Sequence, residues 1–240
     1  MVKILVVNLG PVKYLLPSTS ILKKICKEEV TWVIKSEKSK NIFDYNTKVK
    51  RVFGFDEFKK IDETFDLLIN LYPIFPHWKC KNLLIKSFFD YDFEREYKEI
   101  GKALFGEKSI LNMNLFQIAY RLSGSIWGGE GYDLPYRPKT RSKSLRVGVA
   151  VAQSNLRAYI NDNLDVGDKK LWHIPHKKNI LRKMDEINRC QKVITDDLTT
   201  FHLAMALRKY VYFLETFPLN FKMEFFGNGE LHKVPKNVFS

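Results

Sequence analysis

The spacing within residues 191–216, QKVITDDLTTFHLAMALRKYVYFLET, restricts the fold more than any other feature of the chain. Gln191 to Thr195 has the length and apolar content of a buried strand, Asp196 to Thr200 is a polar turn, Thr200 to Arg208 reads as a helix, and Tyr210 to Leu214 is a second strand. The sum is a β-α-β unit. In such a unit the turn after the first strand lies at the carboxyl edge of a parallel sheet, where the opening amides of the helix lack internal partners. Asp197, Thr199 and Thr200 are therefore candidate caps. The same turn suits an anion, because free N–H groups and the positive end of the helix dipole face whatever docks there.

The alternation extends along the whole chain. Lys3 to Leu9, KILVVNL, is an almost continuous β-branched and leucine run, the profile of a strand covered on both faces. A turn at Gly10 and Pro11 follows, and a helix is expected over Ser18 to Lys27, capped by Ser18 or Thr19, with Ile21, Leu22 and Ile25 on one stripe. Further strands are expected at Val30–Ile34, Val49–Phe53, Phe65–Leu71 and Leu83–Ile85, separated by polar connectors such as Glu37–Tyr45. Residues 87–107 mix aromatic and charged side chains and read as a surface excursion, with Asp90, Asp92, Glu94 and Glu96 on a solvated face. Asn112 to Leu122 carries a helical stripe of Leu115, Ile118, Ala119 and Leu122.

Gly124 to Gly131 and Asp133 to Ser144 form the clearest break, because Gly and Pro interrupt regular structure there and the basic run has little to bury. Gly128, Gly129 and Gly131 do not make a dinucleotide fingerprint, since no strand precedes them and no helix follows in register. A second sheet then begins at Leu145–Ala152, followed by a turn from Gln153 to Arg157, a strand at Leu171–Ile174 and a helix from Lys178 to Arg189. The expected fold class is α/β, with two Rossmann-like domains of parallel sheets flanked by helices. Their boundaries are 1–136 and 145–240, joined by a linker over 137–144.

Charge narrows the partners. Lys and Arg number 40 against 27 Asp and Glu, a net +13 that favours anions such as nucleotide diphosphates, acidic glycans or an anionic membrane surface. No paired CxxC, helix-turn-helix or RNP pattern accompanies the charge, which argues against nucleic acid as a partner. Cys26, Cys80 and Cys190 are few, odd in number and dispersed, which argues against a disulfide framework and for a reducing compartment. No metal site is spelled out: His173 and His176 flank the helix-breaking Pro175 with no further ligand at a suitable spacing. No run approaches the roughly 18 apolar residues of a membrane span, so a cytoplasmic protein with peripheral access to the inner membrane face is expected.

The stretch VITDDLTTFHLAMAL resembles the signature of the family 9 glycosyltransferases, which include the heptosyltransferases of lipopolysaccharide synthesis. Their pattern is a strand, Asn-Asp-Thr-Gly-Pro-Met-His, Leu-Ala-Ala-Ala-Leu-Gly and a second strand. Asp197, His202, Leu203, Ala204, Ala206 and Leu207 match it, whereas Leu198 and Thr199 stand where Thr and Gly are usual, Thr200 replaces Pro and Arg208 replaces the closing Gly. Leu9 to Leu22, LGPVKYLLPSTSIL, is similar to the first loop and helix of that family, with Lys13 at its Gly and Tyr14 at its Asp. Phe65 to Leu71 matches a family strand with Asn70 in place of Asp, and Phe225 to Val234 resembles the closing segment, here expected as a last loop turned by Gly227 and Gly229.

The resemblance implies a GT-B fold with an abridged second domain. It also implies inverting, metal-independent transfer of a heptose or hexose from a nucleotide-diphosphate sugar to a glycan or lipid-linked hydroxyl, with no cofactor. On this reading Asp197, Thr199, Thr200 and His202 hold the donor diphosphate at an interdomain crevice, and Arg157 is the basic loop residue that contacts phosphate. The family's base is absent at Tyr14, whose pKa of about 10 suits it to base catalysis only if a cation such as Lys13 lowers it. One of the carboxylates between Asp90 and Glu96 is the alternative source. A second reading is a catalytically silent relative that binds a sugar nucleotide, glycan or protein partner.

Overall fold

A computed structural model describes residues 2–25, 28–71, 82–88, 113–137, 146–164, 166, 170–175, 179–219 and 221–239. The chain divides into two compact units, Met1–Pro135 with Asn220–Lys222, and Tyr136–Leu219 with Met223–Ser240. Of the linker expected at 137–144, only Arg137 lies among the described residues.

The first unit is built on β1 (Lys3–Asn8), β2 (Glu29–Ile34), β3 (Val49–Gly54), β4 (Thr64–Asn70) and β5 (Leu84–Phe88), all parallel in the order β3-β2-β1-β4-β5. Central β1 is sealed on both faces: Leu5, Val6 and Val7 have no exposed surface, which is why its sequence does not alternate. Leu5 and Val7 pack with Val33, Phe58 and Phe65 in one core cluster. Helix α1 spans Val12–Ser18 and continues as a 3₁₀ turn over Thr19–Lys23. The expected start at Ser18 is thus corrected by about two turns. Pro11 supplies an extended entry conformation, and the Ser18, Thr19 and Ser20 hydroxyls donate back to the carbonyls of Leu15, Leu16 and Pro17 instead of capping a new helix. A short α2 (Phe55–Phe58) follows β3. Helix α3 (Leu115–Leu122) begins with a reciprocal capping box between Asn114 and Gln117, two turn-opening amides being satisfied at once. It packs on α1, and the Tyr120 hydroxyl donates to the Ser20 carbonyl at 3.0 Å. Asp90, Asp92, Glu94 and Glu96 lie outside the described residues.

The second unit repeats the plan with β6 (Arg146–Ala150), α4 (Asn155–Asn163), β7 (Lys170–His173), α5 (Ile180–Asn188), β8 (Lys192–Thr195), α6 (Leu198–Ala206), β9 (Tyr210–Glu215) and β10 (Gly229–Lys233). The strands are parallel in the order β10-β9-β8-β6-β7. Two readings are corrected here. Residues after Ser154 form a helix where a turn was expected as far as Arg157, because Leu156 and Ile160 fill the core beneath it. Residues 229–233 form a fifth strand where a closing loop was expected. Gly227 does turn the chain, at φ +76°, but Gly229 lies flat against β9, where a Cβ would fall 2.3 Å from the Val211 carbonyl oxygen.

Helix α6 ends in a Schellman arrangement: the Lys209 amide donates to the Ala204 carbonyl and the Arg208 amide to the Met205 carbonyl, with Arg208 at φ +56°. A side chain therefore occupies the left-handed position that glycine fills most easily.

The fit of β10 gives a direct test. Gly229→Ala is expected to lower stability by about 1–3 kcal/mol in urea unfolding, with loss of hydrogen-exchange protection concentrated in residues 229–233.

Candidate functional site

In the second sheet the chain goes from β6 outward to β7, then crosses back to place β8 on the other side of β6. The carboxyl ends of β6 and β8 are therefore the switch point at which open α/β sheets bind ligands. The turns that meet there run from Val151 to Ser154 and from Asp196 to Asp197, and they touch through the Ala152 amide, which donates to the Asp196 carboxylate at 3.3–3.4 Å.

Asp197 is the N-cap of α6. Its side chain accepts from the Thr199 amide at 3.3 Å and the Thr200 amide at 2.9 Å, so two of the first three helical amides are satisfied inside the turn. The Thr195 hydroxyl accepts from the Asp197 amide at 3.0 Å and fixes the bend. The capping role is therefore realised, and it leaves fewer amides for a ligand than the sequence alone implies. Thr200 is fully buried, and its hydroxyl donates to Asp197 Oδ2 at 2.6 Å, so it is not a phosphate donor as expected. Thr199 is half-buried.

A residue that sequence reasoning missed completes the turn. Lys183 on α5 is 4% exposed, and its ammonium stands 3.3 Å from Asp197 Oδ2 and 3.2 Å from Thr200 Oγ1. A signal was present: Lys183 interrupts the apolar stripe formed by Ile180, Met184 and Ile187, a place where a lysine needs a buried partner. Burial pushes the Asp197 carboxyl up, but the Thr200 hydroxyl, the Lys183 charge and the Thr200 amide outweigh it and hold the group below its ordinary value.

His202 is 2% exposed, packed edge-on to Phe201, and burial pushes its pKa down to about 3 despite the charge of Asp197. The expectation that it faces a ligand is corrected to a neutral side chain inside the unit. Arg157 lies exposed in the first turn of α4, 3.4 Å from His173 Nδ1. Both line a cavity of about 140 Å³ with Val149, Ile160 and Leu171, beside the carboxyl ends of β6 and β7.

In the first unit Lys13 and Tyr14 open α1. The Lys13 ammonium sits 5.1 Å from the centroid of the Tyr14 ring, and Tyr14 packs edge-on to Phe221. Burial raises the Tyr14 pKa, which corrects the idea that Lys13 lowers it: the cation meets the ring face, and the phenol loses hydration. Among the described residues, no group of three or more His, Cys, Asp and Glu side chains is arranged to hold a metal, and no helix is long and apolar enough to cross a membrane. His176 lies outside them.

No family model matches the chain, and no curated protein matches its sequence. Solved structures do match. A family 9 glycosyl transferase from Veillonella parvula superimposes with a TM-score of 0.66 at 12% identity, over 97% of this chain and 86% of that one. The E. coli heptosyltransferase WaaC with ADP matches with a TM-score of 0.65 at 14% identity, over 98% and 94%. The E. coli ADP-heptose lipopolysaccharide heptosyltransferase II matches at 0.58 and 10% identity, over 98% and 91%. At these identities the likeness is one of fold: α/β, with two parallel five-stranded sheets, as in GT-B glycosyltransferases.

The buried histidine makes stability depend on pH. In the unfolded chain His202 titrates near 6.5, so the unfolded state takes up its proton first, and stability present above that pH falls as acid is added toward the folded value of about 3. Urea unfolding at pH 7.5 and pH 5 is expected to show about 2 kcal/mol more loss for the natural chain than for His202→Leu.

Proposed function

We propose that the protein is a glycosyltransferase that takes a heptose or hexose from a nucleotide-diphosphate sugar and transfers it to a glycan or lipid-linked acceptor. The observation that carries this reading is the fold match over 97–98% of the chain to glycosyltransferases, one of them holding ADP. The second unit would receive the donor at the β6–β8 switch point. There the positive end of α6, the Thr199 hydroxyl and Arg157 can meet diphosphate oxygens, while the cavity beside Arg157 and His173 can accept an apolar part of the nucleotide. Asp197, Thr200 and His202 would shape the turn from within. The net charge of +13 supports an anionic donor and peripheral contact with an anionic membrane surface.

Catalysis would rest on stabilising the departing diphosphate with the helix dipole and Arg157, in a transfer that is inverting and needs neither metal nor cofactor. The acceptor would be served by the first unit. A second reading is favoured by one observation: α1 carries no acidic residue in its first turn, and the phenol at Tyr14 is made less acidic by burial. On that reading the protein binds its sugar nucleotide, or a glycan or protein partner, without turnover.

Titration with ADP, UDP and GDP, followed by transfer assays with the corresponding sugars, separates the two. Binding of a nucleoside diphosphate in the presence of EDTA is expected, with Arg157→Ala weakening it about tenfold. Sugar transfer to an acceptor supports the enzyme, binding without turnover supports the silent relative, and absence of any nucleotide binding refutes the donor site.

A further inference from the structure

We infer that Lys183 is the counter-charge that makes the turn at Asp197 receptive to a polyanion, and so sets the preference of the site for a diphosphate over less charged nucleotides. The inference rests on the donor-site reading above. Two carboxylates, Asp196 and Asp197, stand at the mouth of α6. Left uncompensated, a carboxylate about 6 Å from a phosphate charge, at an effective dielectric constant near 20, would weaken binding on the order of a hundredfold before salt screening.

Asp197 cannot simply be dispensed with, since its oxygens cap the Thr199 and Thr200 amides. The solution in the fold is an ammonium delivered from the neighbouring helix. Lys183 is buried to 4% exposure, and the acceptors it meets at this turn are Asp197 Oδ2 and Thr200 Oγ1. Burying an ammonium is costly unless a partner and hydrogen bonds compensate it, so a lysine kept there is matched to the carboxylate it faces. With that charge neutralised, the dipole of α6 and Arg157 are left to act on the ligand against the Asp196 carboxylate. Lys183 touches no reacting atom in this scheme and is a positioning residue.

The test is titration of the full chain with ADP, AMP and adenosine at low ionic strength, for the natural protein, Lys183→Met and the double variant Lys183→Met with Asp197→Asn. The expected result for Lys183→Met is a loss graded by ligand charge: at least tenfold for ADP, smaller for AMP and none for adenosine. The double variant, which buries no unpaired charge, should recover most of the ADP affinity, and it carries the test alone if the single variant does not fold. An equal loss for all three ligands, no loss at all, or a double variant whose affinity stays reduced in proportion to ligand charge would overturn the inference while leaving the donor site standing. Where UDP or GDP binds and ADP does not, the uridine or guanosine series replaces the adenosine one; a natural protein that binds no nucleoside diphosphate refutes the donor site, and the inference falls with it.

Discussion

Two strands that run the same way cannot be joined by a tight turn, and most of this molecule follows from that restriction. Each crossover carries the chain from the carboxyl end of one strand to the amino end of the next. The turns that leave the sheet therefore collect along one edge, and the helices they start aim their positive ends there. Both sheets obey this rule with Leu5 to Val7 and Val193 to Thr195 buried at their centres. The reversal of strand order between β6 and β8 then separates two turns just enough for the Ala152 amide and the Asp196 carboxylate to face each other. Chemistry at this edge is a consequence of connectivity before it is a consequence of any single side chain.

The strands were legible because burial on both faces forces a continuous apolar run, a signal that needs no partner to interpret. Lys3–Asn8, Glu29–Ile34 and Tyr210–Glu215 differ by a residue or so from their expected limits. What escaped depends on contacts distant in sequence. The start of α1 at Val12 is set by Pro11 and by hydroxyls that bond backward, so the Ser18–Thr19 pair imitates a cap without being one. Strand β10 is polar, with Glu230, Leu231 and Lys233 exposed, and only its fit against the Val211 carbonyl reveals it. The chemistry of the turn was half legible: Asp197 is a recognisable cap, but its partner Lys183 lies on another helix and no local pattern joins them.

The candidate residues also sort differently in space than along the chain. Asp197 and Thr200, neighbours in the most suggestive stretch, bond to each other at the turn, and His202 is buried. Arg157 is exposed and Thr199 half-buried. On the proposed donor reading, the stretch mixes a residue that would meet the ligand with residues that build the turn beside it. Substitutions at Thr199 and Arg208, where glycine is usual in the resembling family, fall on opposite ends of α6, and the second is carried by a strained left-handed arginine within an otherwise ordinary helix stop.

Phe221 and Lys222 belong to the first unit although the chain on either side of them belongs to the second. Phe221 lies in the cluster of Leu115, Ile118 and Tyr14, and Lys222 pairs with Asn114 and donates its amide to the Met113 carbonyl. A fragment ending near Pro135 would leave that patch bare, and the complementary fragment would carry a loose stretch in place of a docked one. Swapping halves between related chains by a single splice would break this stitch, so exchange of either lobe demands three crossover points and not one.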